Sequence, residues 1–446
     1  MKSKHIYVCQ NCGYESPKWL GRCPNCGEWN TFVEEVRSGT KRNPSRVSVR
    51  VKALENIGIE NKERIRTGID EFDRVMGGGI VEGSVILIGG EPGIGKSTII
   101  LMISGILANK DLKILYVSGE ESASQIKLRA ERLNISSSNL FLLPETDLDV
   151  ILNTVEENTP DILIVDSIQT TYASYIDSPT GSVSQVRECT SQIMRLAKVS
   201  NITTFIVGHI TKSGAIAGPK TLEHMVDTVL YLEGDSNHMF RILRTAKNRF
   251  GSTNEIGIFE MVEEGLREVK NPSGYLIETR VKGASGSIIV PTIEGTRPFL
   301  VEAQSLVSTS RFAVPQRVST GVDYKRLNML IAITEKRLGI GIGGFDVFTN
   351  IVGGIKITEP GIDLGITLSL ISSFLDRPIP SDTVAVGEVG LLGEVRAVNM
   401  LDKRVQEAEK MGFKRIIIPR QKVVNDLRIK IVKVKNLLEA KEELSL

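Results

Sequence analysis

The stretch GEPGIGKS, residues 90–97, decides how the rest of the chain is read. It has the form G-x-x-x-x-G-K-S and completes the apolar run SVILIGG, residues 84–90. A strand entering a glycine-rich turn that opens a helix aims backbone N–H groups, and the helix N-terminus, at an anion. The pattern predicts a phosphate-binding loop made by Gly90, Glu91, Pro92, Gly93, Ile94 and Gly95. Lys96, Ser97 and Thr98 then open a helix over 96–109. Lys96 reaches terminal phosphates and the Ser97 hydroxyl can ligate magnesium, so ATP and Mg2+ are the expected cofactors.

Further strand-like runs follow: KILYVSGE (113–120), DILIVDS (161–167) and TTFIVGH (203–209). They alternate with helical stretches near 122–133, 147–158 and 184–199. That alternation predicts a parallel, doubly wound α/β domain with its functional groups at the carboxyl ends of strands. Asp166 is the expected magnesium-side acid. Glu120 is the candidate base for the attacking water, with Glu121 its competitor. His209 either senses the γ-phosphate or caps its strand. Two polar loops, 168–185 and 210–220, leave these strands; they are plain surface or carry DNA contacts, with Lys212 and Lys220 as candidates.

In RTAKNRFG, Arg244–Gly251, Lys247 and Arg249 stand two residues apart, which in a strand puts both on one face. Two readings fit. They are edge-strand charge, or they complete the phosphate pocket of an adjacent subunit, which demands a ring or a filament. On the second reading both are catalytic, and both are also DNA-binding candidates.

Composition bounds these readings. The chain has 446 residues, 41% apolar and 24% charged, with a formal charge of +2, so a nucleic-acid site must be a local patch. No secretory leader and no membrane-length apolar run is visible, which makes a cytoplasmic protein the expectation and a membrane partner unexpected. Four of the five cysteines, Cys9, Cys12, Cys23 and Cys26, form two C-x2-C pairs ten residues apart. This is zinc-ligand spacing, and metal binding would fold so short a segment. Redox pairs would want a βαβ neighbour that is missing. The knuckle either grips DNA or docks a partner, and Trp19 and Trp29 either pack it or offer a stacking surface. Residues 36–52 carry six Lys or Arg and no acid, a tether or a strap along a phosphate backbone.

In order along the chain, the four-cysteine knuckle, GGEPGIGKST, VDSIQT, GHITKSGAIAGPKTLEHMVDTVLYLEGD (208–235) and KNRFG (247–251) resemble the bacterial RadA (Sms) DNA repair family. The resemblance implies a RecA-like ATPase core in hexameric rings. These act as motors on single-stranded and branched DNA and promote branch migration alongside the RecA recombinase. It makes Lys96, Ser97 and Asp166 nucleotide residues and 247–251 a signature needed for DNA-dependent function. The expected organisation is a zinc domain at 1–30, a basic linker at 31–58, the ATPase at 59–275 and a last domain at 276–446. That α+β domain resembles the proteolytic domain of the Lon family through 359–380 and 387–419. There Asp363 stands at the serine position, and Asp402, followed by Lys403, at the lysine position. A serine–lysine dyad needs a hydroxyl and an amine, so the domain reads as structural. Paired-aspartate chemistry would need the two carboxylates to share a proton. The basic tail, KRIIIPRQK and RIKIVKVK, suits a DNA-contacting rim or a solvated surface. An ATP-gated scaffold and an ATP-dependent protease are the rival functions.

Overall fold

Three short strands open the fold: β1 (Lys4–Cys9), β2 (Glu15–Ser16) and β3 (Phe32–Arg37), antiparallel in the order β2-β1-β3. Their core is Cys9, Cys23 and Phe32, so sulfur takes the place of a hydrocarbon interior. The computed structural model describes residues 4–37, 63–209, 222–234, 240–311, 314–353, 356–423 and 427–446. The candidates Lys212 and Lys220, and most of the basic linker, lie outside these. The chain divides into two compact units, the first ending at Glu268 and the second beginning at Val269.

In the first unit the elements run α1 (Asp70–Val75), β4 (Val85–Gly90), α2 (Lys96–Ala108), β5 (Ile114–Ser118), α3 (Ala123–Arg132), β6 (Leu140–Pro144), α4 (Leu148–Asn158), β7 (Ile162–Asp166), α5 (Val183–Ser200) and β8 (Thr203–His209). Four strands follow: β9 (Thr228–Glu233), β10 (Phe240–Asn248), β11 (Ile256–Val262) and β12 (Gly265–Glu268). They form one sheet in the order β12-β11-β10-β9-β4-β8-β7-β5-β6. The strands from β9 to β6 pair in parallel, and β9 to β12 are antiparallel.

β4, β5 and β7 are buried end to end, as strands covered on both faces must be, and their sequences are unbroken apolar runs. Apolar residues of α1, α2 and α3 fill one face of the sheet, and those of α4 and α5 the other. Cys189 packs in the second layer, where burial pushes its thiol up to about 12. Ser122 with Gln125 forms a capping box on α3, and Asp147 and Ser182 cap α4 and α5. The loop after β7 is tighter than its polar sequence suggests. Buried Gln185 donates to the carbonyls of Ala173, Ile176 and Ser178 and accepts from the Ala173 amide.

The second unit holds β13 (Ser287–Glu294), β14 (Arg297–Thr309), β15 (Arg317–Thr320), β16 (Phe345–Ile351), β17 (Thr383–Ala385), the small hairpin β18 (Glu388–Val389) and β19 (Val395–Arg396), β20 (Arg415–Pro419) and β21 (Lys430–Val434). Its main sheet runs β15-β16-β14-β13-β17-β20-β21 and mixes parallel with antiparallel pairs. Helices Tyr324–Leu338, Asp363–Leu375 and Leu401–Lys410 accompany it. This is the expected α+β domain. Its basic tail lies partly in β20 and β21, with Ile416, Ile417 and Ile418 fully buried, Arg415 paired with Glu443 at 2.5 Å, and Lys430 and Lys433 exposed. Among the described residues no helix is long and apolar enough to cross a membrane.

Candidate functional site

The phosphate-binding loop leaves β4 at Gly90 and enters α2 at Lys96. Gly95 precedes the helix at φ +116°, a backbone conformation that favours glycine. No side chain caps α2, unlike α3, α4 and α5, which leaves its first amides to a ligand. Lys96 is 3% exposed and donates to the carbonyls of Gly90 and Glu91 at 2.9 and 2.8 Å. Burial lowers its ammonium to about 8, against the pull of Asp166 and Glu120. Ser97 and Thr98 are half-buried in the first turn of α2.

The strand ends bring the acids to this lysine. Asp166 closes β7, is buried, and accepts from the Tyr116 hydroxyl at 2.5 Å. Burial and the neighbouring Asp166 carboxylate push the Tyr116 phenol well above its usual range. Glu120 lies just past β5. Its Oε1 accepts from Ser167 Oγ at 2.6 Å and lies 3.0 Å from His209 Nε2. Burial pushes the Glu120 carboxyl up, but the hydrogen bonds with Ser167 and His209, with the electrostatic pull of His209 and Lys96, outweigh it and hold it below the usual value. Glu121 turns the other way and pairs with Arg129 of α3.

Lys247 and Arg249 are far from this cluster. β10 runs antiparallel to β9, so Lys247 opposes Val229 and Asn248 opposes Thr228, at the start of β9 rather than at its carboxyl end. Thr228 in turn lies beside Ile86, the second residue of β4, at the sheet end opposite the phosphate loop. A register shift between Thr245 and Lys247, and the end of the strand at Asn248, replace the expected regular alternation. The two cations still meet one segment. Lys247 Nζ donates to the carbonyls of Glu223, His224 and Val226 at 2.7, 3.3 and 2.8 Å. Arg249 reaches buried Asp227 at 3.3 Å, and Asp227 also accepts from Lys198 and from the Val85 amide of β4. Asn248, without a physical account from sequence, bridges the Met76 carbonyl and the Phe250 amide.

In the ribbon all four sulfurs of Cys9, Cys12, Cys23 and Cys26 lie within 4.8 Å of one another. The Cys9–Cys26 and Cys12–Cys23 separations are 3.7 and 3.5 Å. Tetrahedral zinc–thiolate bonds would set sulfurs about 3.8 Å apart, so the residues fit the ion. Trp19 and Trp29 are 51% and 66% exposed and flank Gly21, so they do not form the ribbon's core.

In the second unit Asp363 opens a helix and is fully buried. Arg326 grips both its carboxylate oxygens and the Val389 amide donates to one of them. Both oxygens of the Asp363 carboxylate are thereby engaged. Lys403 donates outward to the Thr296 carbonyl at 3.1 Å. A second buried pair joins Arg404 to Glu359 at 2.8 and 2.5 Å. Sequence reasoning missed Tyr116, Ser167, Asp227, Arg326 and Arg404. Only Ser167 had a local signal, its place beside Asp166.

Comparison with known proteins agrees with this layout. Residues 7–34 match a rubredoxin metal binding domain, 60–215 an AAA domain, and 350–422 the subunit ChlI of Mg-chelatase. The DNA repair protein RadA of Bacillus subtilis is 51% identical over 98% of this chain and 98% of its own. The DNA repair protein RadA of Listeria monocytogenes is 51% identical over 93% of this chain and 92% of its own. A crystal structure of the RadB recombinase is similar at 19% identity over 46% of this chain and 99% of that one, with a TM-score of 0.38, too loose a likeness to weigh. With a four-sulfur ribbon, a RecA-like ATPase core and a Lon-like last domain in sequence, and identity sustained from end to end, this chain belongs to the RadA DNA repair family.

Proposed function

We propose that this protein is a DNA-dependent ATPase of cytoplasmic DNA repair and recombination. It works as a ring-shaped, helicase-like motor, a hexamer, on single-stranded or branched DNA, and promotes branch migration and processing of recombination intermediates alongside RecA. The observation that carries the reading is the separation of two half-sites on one sheet. Lys96, Asp166, Glu120 and His209 gather at the carboxyl ends of strands, and Lys247 and Arg249 lie at the opposite end. Cations so placed cannot serve their own phosphates; Lys247 is held by three carbonyls, and exposed Arg249 would leave Asp227 for a neighbour's phosphates, where an arginine stabilises charge on the transferred group.

The loop amides and Lys96 bind the phosphates of ATP, and Ser97 and Asp166 would hold Mg2+, which supplies charge neutralisation. Glu120 orients the water. As the water oxygen attacks the γ-phosphorus, its proton passes to Glu120 and the bond to the bridging oxygen breaks, releasing ADP. His209 links Glu120 to the strand that feeds residues 210–220, a route from nucleotide state to DNA grip through Lys212 and Lys220.

The test mixes Arg249→Ala subunits with Lys96→Ala subunits. Each alone is expected to be inactive, and the mixture to regain part of the single-stranded-DNA-stimulated turnover. No regain, or turnover indifferent to DNA, sinks the shared-site motor and favours a scaffold. The protease alternative is disfavoured by the Arg326 grip on Asp363. Casein cleavage that disappears in Asp363→Ala would restore it.

A further inference from the structure

Strands β5 and β7 exchange hydroxyls at their functional ends. Tyr116 of β5 donates to Asp166 Oδ2 of β7 at 2.5 Å. Ser167, the next residue after β7, donates to Glu120 Oε1, just past β5, at 2.6 Å. The exchange follows from register. Ser118 pairs with Asp166, and the Gly119 amide donates to the Asp166 carbonyl at 2.9 Å, carrying the pairing one step beyond the strands. Tyr116 is 1% exposed and Ser167 1% exposed, so neither hydroxyl has water to turn to. Gly119 permits the approach, because a methyl group there would overlap Thr170.

We infer that Tyr116 and Ser167 are positioning residues of the nucleotide site, each a buried hydroxyl that immobilises the carboxylate of the opposite strand. The inference rests on the hydrolytic roles proposed for Asp166 and Glu120. Its physical content is a division of labour between the two oxygens of each acid. On Asp166, Oδ2 takes the phenol, and Oδ1 is left to face the cation's ligand shell. On Glu120, Oε1 takes both Ser167 and His209, and Oε2 is left to take the proton of the attacking water. A carboxylate fixed at one oxygen cannot rotate its working oxygen away, so the geometry is set before the nucleotide arrives. Neither hydroxyl touches the reacting atoms, so each acts only through the acid it holds.

The test uses the full chain with Tyr116→Phe, which keeps ring volume, and Ser167→Ala. Calorimetry with a non-hydrolysable ATP analogue reads Mg2+ affinity. Tyr116→Phe is expected to weaken it about tenfold, with analogue affinity in EDTA unchanged. Ser167→Ala is expected to leave both affinities and the KM for ATP unchanged and to lower kcat about ten- to a hundredfold. Wild-type Mg2+ affinity in Tyr116→Phe overturns the first brace, and wild-type kcat in Ser167→Ala the second. Equal losses of analogue binding and turnover in both variants, with a lowered melting temperature, would mark a loosened core and overturn both. Failure of the functional reading looks different: Glu120→Gln with undiminished kcat removes the base, while the Mg2+ arm still reports on Tyr116.

Discussion

At the residue scale, the side chains that matter most are buried charges whose partners are elsewhere in sequence. Lys96→Ala removes the only lysine of the phosphate loop and is expected to reduce turnover by at least about a hundredfold. A steady-state ATPase assay checks it. Glu359 offers a pH test in the second unit. Burial pushes its carboxyl up, but Arg404, the Thr292 hydroxyl and the Ile293 amide outweigh this and hold it below the usual value. Its folded value is therefore below its unfolded one, so the stabilisation is complete above the unfolded value and is lost as pH falls through the folded one. Glu359→Gln leaves Arg404 buried and under-compensated, at a cost of about 3–5 kcal/mol near neutrality. The gap in melting temperature between variant and wild type is expected to narrow as pH falls below about 4.3. A gap that stays constant to pH 2 would refute this.

At the scale of elements, the sheet's central strands and their helices were legible because full burial leaves unbroken apolar runs. The helix expected at 184–199 is Val183–Ser200. β6 was missed because LFLLP is an edge strand only partly buried, too short to show a period. The KNRFG segment could be read as chemically unusual but not placed, since pairing of β10 with β9 is a long-range fact. The same holds for Arg326, which meets Asp363 across 37 residues. Nor could sequence show that Gln185, a polar residue near the start of a helix, holds the backbone of the loop after β7. Gln185→Ala strands several buried carbonyls and is expected to destabilise the first unit by about 2–3 kcal/mol. Hydrogen exchange should then show faster exchange across 170–180 than across β7, and uniform protection would count against that role.

At the scale of the whole molecule, the ribbon, the ATPase core and the Lon-like domain each have their own source of stability. The ribbon's core is largely the four sulfurs, so its stability is expected to come from a bound metal. Zinc removal by a chelator, or four Cys→Ser changes, is expected to unfold it and to leave ATP turnover without DNA within about twofold of wild type, as ordinary surface-distant changes do. Collapse of basal ATPase on chelation would show that the ribbon props up the nucleotide site. In the last domain Arg326 and Arg404 pair with Asp363 and Glu359, so its stability is expected to fall when either arginine is replaced.

The chain has two tryptophans, and both stand exposed on the sulfur-held ribbon. Indole emission is therefore a private channel to that one small segment and is blind to the rest. A melt followed by tryptophan fluorescence and one followed by circular dichroism would coincide only if the ribbon and the rest of the chain unfolded in a single step; where the two curves part, the first reports the ribbon alone and not the protein's melting temperature.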